Sequence, residues 1–151
     1  MAMNDPMRAA MLAPAALLVL WSMVMLVWML VTRIRAMGGL AALRKAPAGG
    51  RGAALDRLLP DRVNWKAHNF INLAEQPTLF YAASVILALT GAERIDVVFA
   101  ALYVALRIVH SLWQALVNRI AVRFGLFIAY SSCLMVLAIR AVASCLAGAL
   151  A

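Results

Sequence analysis

From Met11 to Val31 the chain runs without a single charged residue. As a helix at ~1.5 Å per residue this stretch is ~30 Å long, the thickness of a bilayer's hydrocarbon core. Basic residues follow at once, beginning with Arg33 and Arg35. A signal peptide has a shorter apolar core and its positive flank before it, so the run reads as a retained membrane span. Three more apolar runs follow, giving predicted spans of about 11–31, 65–90, 95–117 and 124–149 within one domain over residues 1–151. Composition agrees: 66% of the residues are apolar and 13% charged, with a mean hydropathy of +0.92. Soluble domains are ~45–50% apolar and ~25% charged. The expected fold class is an all-α, integral membrane four-helix bundle. Four spans consume most of the chain and leave no room for a separate soluble catalytic domain.

The net charge of +8 raises the question of nucleic acid, and the placement of the charge answers it. Arg33, Arg35, Arg44, Lys45, Arg51, Arg57, Arg62 and Lys66 crowd the first connection (32–64) and the mouth of the second span. Arg119 and Arg123 mark the short third connection, while Arg8 and Arg94 stand alone on the other side. Ten against two is the asymmetry of the positive-inside rule. It predicts both basic connections in the cytoplasm, both termini outside, and the bilayer, not nucleic acid, as partner. In a bacterium the membrane would be the inner one. The first connection is rich in Gly, Ala and Pro (Gly38-Gly39, Pro47, Gly49-Gly50) and reads as an irregular loop, with a short amphipathic turn around Leu55–Leu59.

Motifs for nucleotides, zinc or a serine nucleophile are missing, and two histidines with two cysteines predict no metal site. Cys133 and Cys145 are twelve residues apart on the fourth span, ~18 Å along one helix, and cannot pair with each other.

The informative residues are polar groups where lipid forbids them. His68, Asn72, Glu75 and Gln76 fall within an arc of ~100° on the second span, one stripe of a helix. On the third span Arg107, His110 and Gln114 share a face. An intramembrane charge costs ~2.5–3.5 kcal/mol, so such residues face protein or water and pair. Depth at ~1.5 Å per residue sets Glu75 opposite Arg107 and Asn72 opposite His110. The plain reading is a polar clamp holding the bundle; the functional one is that its cytoplasmic half lines a ligand site. Pro77 is expected to bend the second helix. Gly125, Ala129 and Cys133 form a small-residue row, a close-packing surface for another helix or subunit. Arg140 is expected to snorkel to the outer interface. Trp21 and Trp28 are expected to pack or face lipid. Arg119 and Arg123 serve either as interface anchors or, for Arg123, along the Phe127–Tyr130 face, as a group pointing into the bundle.

The pattern Asn72-x-x-Glu75 with Phe80 five residues on, then Arg107-x-x-His110, then Arg119-x-x-x-Arg123, resembles the MAPEG family, the membrane-associated proteins of eicosanoid and glutathione metabolism. The resemblance covers roughly residues 10 to 145, and the chain looks like a divergent member of bacterial type. It implies a homotrimer with glutathione held between subunits at the cytoplasmic side. The arginine matching Arg123 would be catalytic, stabilising the glutathione thiolate; the one matching Arg33 contacts the site, and Asn72, Glu75 and His110 match further members of it. Arg107, Arg119 and His68 complete the candidate binding set by their charge and level.

The chain departs from the pattern in several places. His68 and Ile71 stand where glutathione-using members carry arginine, Gln114 and Phe127 where tyrosines are common, and Phe124 where a serine flanks the catalytic arginine. A thiol of pKa ~8.5 becomes nucleophilic as its thiolate, which a fixed arginine in a low-dielectric site favours. The function this implies is a glutathione-dependent transferase or peroxidase acting on lipophilic electrophiles that arrive through the bilayer. The rival is a non-catalytic membrane protein of the same fold that binds a lipid or a protein. A proton pathway along Glu75, Arg107 and His110 would need further ionisable groups, and none continues outward.

Overall fold

The computed structural model describes residues 5–44, 49 and 51–150. Met1, Lys45, Pro47, Gly50 and Ala151 lie outside the described residues. Within them there is no strand, and four helices are long and apolar enough to cross a membrane.

Helix α1 spans Pro6–Ala36. The Asp5 carboxylate caps it by accepting from the Met7 N–H at 2.9 Å, and Pro6 stands where no backbone donor is needed. It ends at Gly38 and Gly39, whose φ values of +92° and +87° suit residues without a Cβ. Met11, Leu18 and Met25, each seven residues apart, form its buried stripe. The opposite face (Ala9, Ala13, Ala16, Leu20, Val24, Val27, Val31) is exposed and wholly apolar, as lipid or another apolar helix requires. Trp21 and Trp28 pack against the core. The Trp21 indole donates to the Ser111 hydroxyl at 3.0 Å, and Trp28 carries the Lys66 ammonium over its ring.

The first connection holds one helical turn, α2 (Leu40–Leu43), and a 3-10 segment, Gly52–Arg57, which covers the start of the expected amphipathic turn. The second span is two helices, α3 (Asp61–Glu75) and α4 (Pro77–Thr90). Pro77 cannot donate to the Leu73 carbonyl, so the hydrogen-bond ladder is interrupted at Gln76, whose backbone keeps helical dihedrals of -63° and -37°. α3 packs on α1 and on α5 (Arg94–Leu116), whereas α4 packs on α1 and on α6 (Ile120–Leu150). α5 buries the face that carries most of the polar groups. Ala100, Tyr103, Val104, Arg107, His110, Ser111 and Gln114 repeat at the three- and four-residue spacing of one buried face. At its C-terminal end Asn118 takes a left-handed φ of 58°, and its N–H returns to the Trp113 carbonyl.

Three expectations are refined by the side-chain contacts. Arg140 is paired as well as near the outer turn: it donates to Asp96, whose carboxylate is buried at the start of α5, and to the exposed Glu93 at 2.9 Å. The small-residue row is divided, with Gly125 and Ala129 exposed on α6 and Cys133 buried. Nothing lies within 4 Å of a Cβ at Gly125, so the open part of this row faces away from its own bundle. The individual partners on the second and third spans also differ from those expected. Asn69 donates to Ser111 at 2.8 Å, Asn72 to Gln114 at 3.0 Å, and Arg107 meets the Asn72 carbonyl instead of Glu75.

Candidate functional site

Between the end of α3, the C-terminal half of α5 and the first turns of α6, space is left open. The resulting cleft has a volume of about 480 Å³, within the range of small-molecule sites. It lies in the half of the bundle toward the basic connections. Asn72, Glu75 and Gln76 line it from the second span, Arg107 and His110 from α5, and Arg123, Phe124, Phe127 and Tyr130 from α6.

Arg107 is its centre. The residue is only 2% exposed, yet no carboxylate pairs with it among the described residues. The guanidinium instead donates to the Tyr130 hydroxyl at 2.6 Å and to the Asn72 carbonyl, and its Nη1 stands 3.5 Å from the His110 Nδ1. It also lies over the Tyr130 ring, 4.8 Å from the centroid. All of these are neutral acceptors. A guanidinium nitrogen has no lone pair to offer, so this contact makes the His110 Nδ1 the acceptor and leaves the ring proton on Nε2. The Arg107 Nε is buried without a partner.

Arg123 is held along the cleft by the Asn118 side-chain oxygen at 2.7 Å, and its Nε too is buried and unpartnered. The left-handed turn at Asn118 thus both ends α5 and aims this arginine. Glu75, the last residue of α3, is exposed and makes no ion pair among the described residues. Two arginines against one carboxylate leave the cleft with a surplus positive charge.

The expected residues therefore fall into two groups. Asn72, Glu75, Arg107, His110 and Arg123 come together in the cleft. Arg33 and His68 meet elsewhere, on opposite oxygens of Asp56 at 2.9 and 3.1 Å. Asn64 clasps the same segment by donating to the Asp56 and Leu59 carbonyls. Arg119 is exposed and stands outside the cleft lining. The pairing of Glu75 with Arg107, and of Asn72 with His110, does not occur. The Arg107 guanidinium is taken by Tyr130 and the Asn72 carbonyl, Glu75 is exposed at the end of α3, and the Asn72 side chain is taken by Gln114.

Sequence reasoning missed Asp56, Gln76's bond to the Ser131 hydroxyl at 2.9 Å, and the Asp96–Arg140 pair. Asp56 and Asp96 were accessible to it. Only six acidic residues occur in the whole chain, and one amid a basic loop or at a span's start has few roles besides pairing.

No curated protein and no solved structure matches the chain. The model of the MAPEG family matches residues 11–143, most of its length. Together with the four apolar helices, that match makes this an integral, multi-pass membrane protein that belongs to the MAPEG family.

Proposed function

We propose that the protein is a glutathione-dependent transferase or peroxidase acting on lipophilic electrophiles, with the cleft holding the anionic part of glutathione. The observation that carries this reading is Arg107: a buried cation at membrane depth with only neutral acceptors, beside a second arginine, in an open cleft. Charge in a low-dielectric setting favours a counter-ion strongly, and a cleft that supplies none of its own suits an anionic ligand. Arg123, at the cleft's basic end, would stabilise the thiolate. Arg107 and the His110 Nε2 proton would add fixed donors. Exposed apolar surface on α4 and α6 would let a lipophilic partner approach from the bilayer.

We infer in addition that the basic connections face the cytoplasm, following the positive-inside rule, with both termini on the far side. We take the assembly to be the trimer that the family resemblance implies. The outward stripe of α1 from Ala9 to Val31 fits a neighbour's apolar groove between α4 and α6, about 690 Å³ in volume and sharing Gln76 and Phe127 with the cleft. A contact of this head-to-tail kind makes a closed ring when its rotation closes. It would also bring the separate group of Arg33, Asp56 and His68 from one subunit toward the cleft of the next.

The test is ligand binding in mild detergent, read by the ultraviolet absorbance of the thiolate. Wild type should form it at millimolar glutathione, and Arg123→Ala should abolish it. If glutathione binds without a thiolate, the non-catalytic reading takes over; if none binds, the glutathione reading is wrong.

A further inference from the structure

The Tyr130 hydroxyl stands in the cleft with its oxygen occupied and its proton unused. A phenol has one proton to donate and a lone pair to accept with. Here the oxygen accepts from the Arg107 Nη1 at 2.6 Å, and among the described residues no acceptor takes the phenol proton. The ring is fixed from three sides by edge-to-face contacts with Tyr103, His110 and Phe127 at 5.4–5.8 Å between centroids. Tyr130 is 2% exposed and still lines the cleft, so the proton it can offer is offered there.

We propose that Tyr130 is a ligand-touching hydrogen-bond donor that stabilises the anion bound in the cleft, with Arg107 positioning it. Accepting a charged donor polarises the phenol and strengthens the bond its own proton makes. Two features make this geometry informative. Among the described residues Tyr130 is the one tyrosine in the cleft lining, so any phenol donor there is this one. The Gln114 side chain is meanwhile occupied by Asn72 and buried, and is not in the cleft lining. Tyr103, the other fully buried tyrosine, stacks on Phe80 at 4.3 Å and does not line the cleft, which makes it the natural control.

This proposal rests on the glutathione reading above, and its test separates the two. Thiolate absorbance is titrated against pH with saturating glutathione in wild type, Tyr130→Phe and Tyr103→Phe. Tyr130→Phe keeps the ring and its packing. It should move the midpoint of thiolate formation upward by about one pH unit, roughly a tenfold loss of thiolate at fixed pH. Tyr103→Phe should leave the midpoint where it is. An unchanged midpoint in Tyr130→Phe overturns the role of Tyr130 while leaving the glutathione reading intact. No thiolate in wild type overturns both. Should Tyr130→Phe fail to fold, wild type labelled at the tyrosine ζ-carbons decides. The chain has three tyrosines, and variants at Tyr81 and Tyr103 assign the third signal by elimination. A shift of that signal on adding glutathione supports the proposal, and a fixed signal overturns it.

Discussion

Arg107 and Glu75 line one cleft without pairing: the guanidinium is spent on the Tyr130 hydroxyl and the Asn72 carbonyl, and the carboxylate ends α3 exposed. Residues that share a cleft couple by ~0.5–3 kcal/mol, and without a bond between them the lower end, about 0.5 kcal/mol, is expected. A double-mutant cycle of Glu75→Gln and Arg107→Gln, read by thermal unfolding in detergent, is therefore expected to give no coupling beyond that margin. Glu75→Gln alone should be close to neutral, whereas Arg107→Gln strands the Tyr130 and Asn72 acceptors and should be destabilising. A coupling of several kcal/mol would mean that the two meet in the membrane after all.

The opposite expectation holds for Arg140 and Asp96. Asp96 is fully buried, and Arg140 is its charged partner across α5 and α6. Arg140→Met leaves a carboxylate buried without compensation, a change that costs ~3–5 kcal/mol for wholly buried pairs. Arg140 is about one-third exposed, so about 2 kcal/mol is expected here. Adding Asp96→Asn should recover part of that loss. Unfolding midpoints of the two single variants and the double variant check this.

The contrast between these two pairs says what the sequence could and could not reveal. Spans, their order and the break at Pro77 are set by hydropathy and by one missing N–H, both local properties. The polar stripes were legible too, because 100° per residue puts Asn72 and Glu75, or Arg107 and His110, on one face. What depth arithmetic could not supply is which groups at that level bond. Asn72 reaches Arg107 with its carbonyl and Gln114 with its side chain, on either side of His110, and backbone acceptors of this kind leave no mark in a hydropathy pattern. The family resemblance named Arg33 and Arg123 together. A single chain brings Arg33 instead to Asp56, a pairing set by how a Gly-rich connection folds back.

That connection yields a third prediction. Asp56 ties the 3-10 segment to α1 through Arg33 and to α3 through His68. The bonds are partly exposed and contribute little to global stability, on the order of 1 kcal/mol or less. Their effect is local order. Asp56→Asn should leave the unfolding midpoint within a degree or two and accelerate trypsin cleavage after Arg57, which is exposed in the segment. High salt should produce a weaker version of the same acceleration in wild type. Equal cleavage rates would show that the clasp of Asn64 holds the segment alone.

The last prediction concerns assembly and uses depth in a frame the structure supplies. Trp21 meets Ser111, and Arg107, four residues earlier on α5, meets Tyr130. Since α1 and α5 run toward the basic end and α6 away from it, residue 13 of α1 lies at about the depth of residue 135 of α6 at ~1.5 Å per residue. Ala13 is on the outward stripe of α1, and Met135 lines the apolar groove between α4 and α6. Subunits related by an axis along the membrane normal keep these depths equal. Ala13→Cys with Met135→Cys, in a chain whose Cys133 and Cys145 are replaced, should therefore cross-link between chains on mild oxidation. Each chain gives one cysteine forward and one back, so the products should run as dimer and trimer and stop at three. Either single cysteine alone should stop at two or fewer. A ladder ending at dimer with both cysteines present would indicate a two-fold contact, in which the same patch meets itself. No cross-link at all would separate α1 from the groove and remove the trimer arranged in this way.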